Sequence, residues 1–343
     1  MKQMKKYNHV IMVILLACIL TSGTVGYLLL FPQFFPKKTT NIYIDRDDTA
    51  DSIYNKVKET GCGNAIWLFH WLISRPDFKK NIHTGCYRIR PHDSNFILYR
   101  RISRGHQTPV NLTIGSVRTL GNLAASIGKQ LMIDSTDIAH LMNDSSYQMK
   151  LGFTYETEPC LFIPDTYQVY WNISTTELFE KMKKEYHHFW NKDRLNLANS
   201  IGLTPNEVTT IASIVDEETN NNTEKPMIAG LYINRLHQNL PLQADPTVKF
   251  ALKDFALKRI SNANLSIDSP YNTYRRTGLP PGPIRIPSQK GINSVLHYVR
   301  HNYIYMCAKG DFSGTHAFAS NYNEHIKNAR LYWKELNKRK IFK

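Results

Sequence analysis

The sequence predicts an α+β fold that follows an N-terminal transmembrane helix. Three observations lead to this fold class. The first 36 residues contain a long uncharged apolar run, short strand-like segments recur through the rest, and segments with helical periodicity separate them. At 343 residues, the chain has room for about two domains behind the apolar run.

The composition excludes several classes of protein. A hydrophobic fraction of 42% with 11% aromatic residues is too high for a disordered chain, and 17 glycines with 16 prolines are too few for a collagen-like one. The 43 Lys and Arg residues outnumber the 28 Asp and Glu residues, which gives a net charge of +15. This excess predicts an anionic partner, such as nucleic acid, a membrane surface or an acidic polymer.

The uncharged run lies between Lys6 and Lys37 and is mostly apolar over residues 10–35. A helix of this length crosses a bilayer, so we predict a cytoplasmic tail over 1–9 and a transmembrane anchor over 10–35. The alternatives are cleavage as a signal peptide or as a lipoprotein at Cys18. The apolar residues that continue beyond Cys18 favour an uncleaved anchor.

The charges that flank the anchor predict its orientation. Three lysines precede the apolar run and two follow it, and the positive-inside rule then favours a cytoplasmic N-terminus. The remainder of the chain would lie outside the cytoplasm, where anionic lipids and wall polymers are available. Nucleic acid is therefore not an expected partner.

Residues 39–105 are predicted to form a small module with the order strand, helix, helix, strand, helix. The first strand contains Ile42 and Ile44, and the other elements follow at about residues 50–57, 64–74, 85–91 and 96–102. Cys62 and Cys86 flank one small region. A disulfide between them and a pair of free thiols both remain open at this point.

Residues 106–200 are predicted to form a connecting α+β region. We expect a strand over 110–114, a helix capped by Ser116 and running to Leu131, a strand around 161–170 and a mostly helical segment over 175–198. No residue of this region is singled out for chemistry.

Residues 201–343 contain the segment with the strongest chemical signal. A helix starts at Thr204 and buries an i, i+3, i+4, i+7 stripe, after which three carboxylates follow in succession. Steps of about 100° place Glu217 toward solvent, Asp216 to one side and Glu218 near the apolar stripe. A partly buried carboxyl has a raised pKa, which suits a general acid, so Glu218 is the candidate.

Further along, rigid and polar segments suggest sugar recognition. Asp245 is predicted to cap a helix opened by Pro246. Tyr, Asn and Thr side chains lie in a stiff run over 269–274, followed by the proline-rich run 278–284. A hairpin over 303–319 and a final helix over 322–338 complete the chain. Glu324 and His325, at the start of that helix, could face a cleft.

Six segments match one family in the same order. They are Ala212-Ser213-Ile214-Val215 with Glu218-Thr219, Ile228-Ala229-Gly230 with Ile233-Asn234-Arg235-Leu236, Leu242-Gln243 with Asp245-Pro246-Thr247-Val248, Ser269-Pro270-Tyr271-Asn272-Thr273-Tyr274, Gly278-Leu279-Pro280-Pro281-Gly282-Pro283-Ile284, and Gly314, His316 and Phe318 with Glu324-His325. The chain resembles the MltG-type endolytic murein transglycosylases over residues 39 to about 340. The sequence departs from the family pattern in four places: Asp216 stands where Glu or Gln is usual, Lys225 where Arg is usual and Ile286 where Asn is usual, and Met306-Cys307 replaces a more aromatic strand.

The resemblance implies a single inner-membrane anchor, a LysM-like module at 39–105 and a periplasmic lytic domain at 201–343. It makes Glu218 the catalytic residue and involves no cofactor or metal. Cell-wall synthases in the same membrane are the protein partners that it suggests. The residues that it implies for substrate binding are Asn234, Arg235, Gln243, Asp245, Tyr271, Asn272, Thr273, Tyr274, His316 and Glu324.

The implied reaction cuts glycan strands internally between N-acetylmuramic acid and N-acetylglucosamine and leaves 1,6-anhydro ends. One carboxyl group, that of Glu218, can serve both proton transfers. A muramidase-type hydrolase would need a second carboxylate, for which Asp245 is the candidate. A non-enzymatic, membrane-anchored peptidoglycan-binding protein is the alternative from another class, but it gives no reason for a carboxylate beside the buried stripe.

Overall fold

The computed structural model describes residues 2–257 and 259–339. Met1, Lys258 and residues 340–343 lie outside the described residues, and so do the corresponding ends of the predicted tail 1–9 and domain 201–343. The α+β fold class is confirmed. The described chain divides into two compact units: residues up to 112 together with 168–173, and the remaining residues.

The first unit contains one long helix followed by a small mixed module. Its elements are α1 (Lys2–Leu30), β1 (Thr40–Ile44), α2 (Ala50–Lys58), α3 (Ile66–Ile73), α4 (Pro76–Lys80), β2 (Gly85–Ile89) and α5 (Asn95–Ser103). Strands β1 and β2 pair antiparallel, with Ile42 opposite Tyr87. The predicted strand and helix order is confirmed, with α4 as an addition that begins at Pro76.

Helix α1 is long and apolar enough to cross a membrane over Tyr7–Leu30, with a mean hydropathy of 2.2. The helix ends at Leu30, short of the predicted boundary at residue 35, because Pro32 disfavours helical backbone before it. Phe34 instead lies in the core of the first unit, where it is fully buried. Cys62 and Cys86 are free thiols, which decides the open question about their pairing in this structure.

The second unit is mostly helical. Its elements up to the middle of the chain are α6 (Leu120–Gly128), α7 (Ser135–Met142), α8 (Ser145–Leu151), a short 3-10 helix (Glu158–Leu161), α9 (Thr175–Phe189), α10 (Lys192–Ile201) and α11 (Pro205–Glu218). The later elements are α12 (Lys225–His237), α13 (Asp245–Leu252), α14 (Asn262–Leu265), α15 (Gln289–Leu296), β5 (Tyr305–Ala308), β6 (His316–Ala319) and α16 (Tyr322–Lys338). Strands β3 (Val110–Ile114) and β4 (Asp165–Val169) form another two-stranded sheet, in which residues 110–112 and 168–169 belong to the first unit.

Several predicted boundaries in the second unit are wrong for local reasons. The helix predicted from Ser116 begins at Leu120, because Thr119 caps it while the Ser116 hydroxyl donates to the Ile286 carbonyl (2.6 Å). The single helical segment over 175–198 is two helices, since Asn191 caps a new one. The helix that starts after Ser288 ends at Leu296 instead of Arg300.

Helix α11 is the centre of the second unit. Every residue from Val208 to Asp216 is buried, and the helix packs against α12, α13 and α15. Ile211, Ile214 and Val215 are fully buried in the largest cluster of apolar side chains. A helix enclosed in this way has no solvent-exposed face over most of its length. The carboxylates at its end therefore lie next to other protein segments.

Candidate active site

Helix α11 delivers Glu218 to the wall of a cleft. The helix begins with a capping box, in which Thr204 accepts from the Glu207 backbone (3.3 Å) and Glu207 accepts from the Thr204 backbone (2.8 Å). It ends at Glu218 because Thr219 is extended, with φ −148° and ψ 141°. Glu218 is therefore the last residue of a rigid, buried helix.

The cleft has a volume of about 300 Å³, and Glu218 is half-buried in its wall. The Tyr232 hydroxyl donates a hydrogen bond of 2.7 Å to Glu218 Oε1. Burial raises the pKa of Glu218, and the Asp245 carboxylate adds to the rise, whereas the Tyr232 hydrogen bond and the charge of His316 oppose it. The helical-phase prediction of a partly buried Glu218 is confirmed.

Asp245 lies in the same cleft but does not cap its helix. Ala244 occupies the cap position and makes no side-chain cap bond, so the predicted capping role is wrong. The Asp245 carboxylate accepts a 2.6 Å hydrogen bond from the Tyr274 hydroxyl instead. Both side chains line the cleft with Glu218, so the structure brings together three residues that the sequence singled out.

Arg235 and Gln243 form another part of the cleft wall. The Arg235 guanidinium donates to the carbonyls of Pro241 (2.8 Å) and Ile304 (2.6 Å) and to Gln243 Oε1 (2.6 Å). Gln243 takes a left-handed backbone conformation with φ 52°, which turns the chain between α12 and α13. Both side chains are held in place by these bonds before any substrate binds.

Asn234, one residue earlier, has a structural role in this arrangement. Its side-chain amide donates to the backbone carbonyls of His301 (2.7 Å) and Tyr303 (3.0 Å). These bonds hold the segment that leads into β5. Asn234 therefore supports a wall of the cleft, and the cleft lining does not include it.

His316 lines the cleft from the start of β6. Its backbone N–H donates to Glu224 Oε1 (2.6 Å), and its Nδ1 lies 3.0 Å from Glu224 Oε2. Glu224 is buried and precedes α12, so this pair fixes the orientation of the imidazole ring. The ring is thereby placed where its charge acts on Glu218.

Glu324 is exposed at the start of α16, outside the cleft lining. Its carboxylate accepts from the Ser320 backbone N–H (3.1 Å), so it stabilises the entry to the helix. The next residue, His325, lines the cleft, and burial lowers its pKa, as does the nearby Arg235 charge. The sequence analysis pointed to both residues but gave Glu324 as the substrate-binding candidate, whereas His325 is the one that lines the cleft.

The residues of the predicted sugar-binding run over 269–274 have different surroundings in the structure. Asn272 is 0% exposed, and its amide donates to the carbonyls of Leu265 (2.9 Å) and Ile267 (2.8 Å). The Thr273 hydroxyl is also buried and accepts from the Ala244 N–H (3.0 Å). These two side chains hold the loop in shape, so the expectation that they contact substrate does not fit their burial.

Tyr271 and Tyr274 lie on different surfaces of that loop. Tyr274 faces the Glu218 cleft, whereas Tyr271 lines a separate cavity of about 610 Å³. Tyr232 and Tyr305 complete the aromatic wall of the Glu218 cleft, and sequence reasoning missed both as site residues. The helical stripe assigned Tyr232 to the apolar core, and its hydroxyl contact with Glu218 depends on how α11 and α12 pack.

The two carboxylates before Glu218 are structural, and Glu217 corrects the helical-phase prediction. Glu217 was expected to face solvent, yet it accepts from Arg118 Nε (2.8 Å), Arg118 Nη2 (2.9 Å) and Arg285 Nη1 (2.8 Å). The arginines lower the pKa of Glu217 against the opposing effect of burial. Phase around one helix axis does not reveal which distant segments cover that side.

Asp216 is buried and forms a 2.6 Å salt bridge with Lys225. It also accepts from the Ser288 N–H (2.6 Å), and a Cβ at Gly291 would lie 2.6 Å from its Oδ1. Asp216 and Lys225, two of the residues expected to depart from the family pattern, are thus direct partners. Asp216 joins α11, α12 and α15 and leaves the cleft to Glu218.

The described parts of the chain, 2–257 and 259–339, contain no group of three or more His, Cys, Asp or Glu side chains arranged to hold a metal ion. The side chains that line the Glu218 cleft carry several groups able to transfer protons or form hydrogen bonds. These provide one acid with a raised pKa, a second carboxylate, an arginine, two histidines and several tyrosines.

The chain is similar to known proteins over most of its length. It is 26% identical over 323 residues to the endolytic murein transglycosylase of Bacillus subtilis (strain 168), covering 88% of this chain and 87% of that protein. It is 25% identical over 357 residues to the endolytic murein transglycosylase of Streptococcus pneumoniae serotype 2 (strain D39), covering 92% of this chain. The match spans 63% of the length of the pneumococcal protein.

A crystal structure of a yceG-like protein from Listeria monocytogenes has the same fold, with a TM-score of 0.56 at 23% identity over 85% of this chain and 99% of that one. The YceG-like family itself matches residues 42–331, which include parts of both units and every residue of the Glu218 cleft. The chain belongs to the YceG-like family.

Proposed function

We propose that the protein is a membrane-anchored, endolytic peptidoglycan lytic transglycosylase, a lyase that cuts glycan strands during cell-wall assembly. The observation that carries the proposal is the Glu218 carboxyl, which has a raised pKa and faces a polar cleft. The names of the relatives from B. subtilis and S. pneumoniae support the same activity.

In the proposed reaction, Glu218 donates its proton to the glycosidic oxygen between N-acetylmuramic acid and N-acetylglucosamine. The bond from the muramyl anomeric carbon to that oxygen breaks. The muramyl 6-hydroxyl then attacks the same carbon, and the Glu218 carboxylate removes the hydroxyl proton. The product carries a 1,6-anhydro ring, no water is consumed, and Glu218 returns to its protonated form.

The other cleft residues are proposed to bind the sugar. Arg235 and Gln243 are held rigid by their mutual hydrogen bond and present polar atoms to the cleft. Asp245 and Tyr274, also bonded to each other, can accept and donate to sugar hydroxyls. His316, oriented by Glu224, keeps a positive or polar edge toward Glu218 and moderates the rise of its pKa.

The location of this activity is proposed from the anchor. We assign α1 to a single pass through the inner membrane, with residues 39–105 as a LysM-like module that contacts glycan and residues 201–343 as the lytic domain, both on the periplasmic side. The apolar run of Tyr7–Leu30 and the lysines at its ends support this topology. Cell-wall synthases in the same membrane are the proposed protein partners.

A muramidase-type hydrolase is the second candidate, because the Asp245 carboxylate lines the same cleft as Glu218. A hydrolase would use this second carboxylate as a base or nucleophile and would leave reducing muramic acid ends. The Tyr274 hydrogen bond and the position of Asp245 at the start of α13 favour a binding role for it.

Mass spectrometry of the products decides between these candidates. The chain in detergent is incubated with purified sacculi, alongside Glu218→Gln and Glu158→Gln, which replace two glutamates whose pKa is raised by burial. We expect anhydro-muropeptides from wild type and Glu158→Gln and none from Glu218→Gln. Reducing ends would indicate hydrolysis, and binding without release from any variant would indicate a non-enzymatic glycan-binding protein.

A further inference from the structure

Helix α3 of the first unit exposes two tryptophans on one face. Trp67 and Trp71 are 55% and 53% exposed, one helical turn apart, while the residues between them and around them are mostly buried. The guanidinium of Arg75 lies 4.8 Å from the centre of the Trp71 ring. Large aromatic side chains are costly to leave in water, so an exposed pair on one face indicates a surface that meets an apolar partner.

The chain between α1 and the module is too short to act as a linker. Helix α1 ends at Leu30, and Phe34 is already 0% exposed in the core of the module. Gln33 donates to the Asp93 carbonyl (3.0 Å) and accepts from the Gly63 N–H (2.6 Å). The module therefore begins directly where the apolar helix ends, with no flexible segment that would let it move away.

The start of α3 and the start of α5 are both tied to the end of α1. The Asn95 side-chain amide lies 3.0 Å from the Ala65 carbonyl and 3.4 Å from the Leu28 carbonyl. Ala65 immediately precedes α3, and Asn95 is the first residue of α5. The Asn95 amide therefore links the Ala65 carbonyl to the last turns of α1, and Trp67 follows Ala65 by two residues.

The first turn of α5 also exposes apolar side chains. Phe96 and Ile97, next to Asn95, are exposed, as are Tyr27 and Phe31 at the end of α1. We call the set of Trp67, Trp71, Phe96 and Ile97 the α3–α5 patch. The patch lies on the two helices that contact α1, and these helices also contact each other.

We propose that the α3–α5 patch docks into the interfacial layer of the bilayer that α1 spans, with anionic phospholipid as its partner. The proposal rests on the proposed anchor. Tryptophan is enriched at the membrane–water interface because its ring is apolar while its N–H can reach water and headgroups. Exposed Arg75, Lys79 and Lys80 follow the tryptophans and provide charges for phosphate headgroups.

Tryptophan quenching in proteoliposomes tests the docking. The full-length chain is reconstituted in anionic phospholipid that carries bromine on the acyl carbons nearest the headgroup, which quenches only tryptophans at that depth. The variant is Trp67→Phe with Trp71→Phe, which keeps aromatic bulk. The control is Trp333→Phe in the second unit, because Trp333 is equally exposed at 54% but lies outside the patch.

We expect bromine quenching in wild type, the same quenching in Trp333→Phe and loss of most of it in the double variant. Equal quenching in wild type and the double variant would overturn the proposal. So would an unquenched wild type whose mass in detergent falls when the two tryptophans are replaced, since the patch would then bind another copy of the chain.

An alkaline carbonate wash separates failure of the docking from failure of the anchor. A chain that is washed off the vesicles refutes the anchor, and the docking fails with it. A chain that is retained but shows no quenching from Trp67 and Trp71 refutes the docking alone. Cleavage of sacculi by the detergent-solubilised chain tests the proposed activity independently of both results.

Discussion

The cleft around Glu218 and the interior around Glu158 place the same acid in two different surroundings. Each side chain accepts one hydrogen bond from a neutral donor, Tyr232 for Glu218 (2.7 Å) and Gln148 for Glu158 (2.8 Å). Burial raises the pKa of both, that of Glu158 to about 7. Glu158 is only 1% exposed, and its Oε1 has no hydrogen-bond partner among the described residues.

The two glutamates differ in whether a substrate can reach them and in which side chains surround them. Glu218 opens to a cleft that also contains Asp245, Arg235 and His316, whereas Glu158 is enclosed by the protein. A raised pKa therefore identifies a buried acid, but a reaction also needs space for a substrate and groups that orient it. The glutamine variants of the two residues separate these requirements.

The largest expected effect is on turnover. Glu218→Gln keeps the shape of the side chain but cannot transfer a proton, so the rate of glycan cleavage should fall by a factor of about 10²–10⁴ or more. Glu158→Gln should leave the rate within about twofold, because Glu158 touches no part of the cleft. Release of anhydro-muropeptides per minute measures both. Comparable losses in the two variants would show that burial, and not access, explains the effect.

The next effect is on stability as a function of pH. The folded-state pKa of Glu158, about 7, lies above its ordinary value of 4.5, so the folded chain binds this proton more tightly than the unfolded chain. Its contribution to stability is complete below pH 4.5 and is lost as the pH rises through 7. The loss is on the order of 3 kcal/mol.

Glu158→Gln should remove that dependence. Urea unfolding of the detergent-solubilised chain between pH 5 and pH 8 is the measurement, and the variant should gain stability relative to wild type across this range. Parallel curves for the two proteins would contradict a neutral Glu158 in the folded state. Exposed Glu59→Gln, in the first unit, serves as the control for loss of an ordinary carboxylate.

A smaller effect is expected at Glu217, the neighbour that carries no raised pKa. Glu217→Gln leaves the Arg118 and Arg285 guanidinium groups without their carboxylate, which should cost about 1–3 kcal/mol of stability. The pH dependence of cleavage should keep the wild-type shape, because Glu218 still supplies the proton. A melting temperature equal to that of wild type would restore the solvent-facing Glu217 of the helical-phase argument.

The smallest expected effect is on the pKa of Glu218, and it comes from removing the Tyr232 hydroxyl. The Tyr232 hydroxyl stabilises the ionised form of Glu218, so Tyr232→Phe should raise the pKa of Glu218 further. The high-pH limb of kcat/KM should then move upward by about one pH unit or less, as expected for one hydrogen bond. Movement to lower pH would mean that Tyr232 does not donate to Glu218 in the active enzyme.

Local signals in the sequence were sufficient for much of the architecture. The hairpin of β5 and β6, the capped start of α11 and the final helix over 322–338 all follow from residues within a few positions of each other. The boundaries that were wrong, such as the helix expected from Ser116, failed where a side chain bonded a distant segment in place of its own backbone. The end of α1 at Leu30 could have been predicted from Pro32, because the residue before a proline disfavours helical backbone.

The site shows the same division between local and distant causes. The sequence alone determined that a carboxylate at the end of α11 would lie beside an apolar stripe, because helical phase is a property of one helix. Only the tertiary structure decided the surroundings of the three neighbouring acids. Arg118 lies 99 positions from Glu217 in the chain, and α12 supplies Tyr232 to Glu218 and Lys225 to Asp216. These contacts depend on how helices pack, and no periodicity within one segment contains that information.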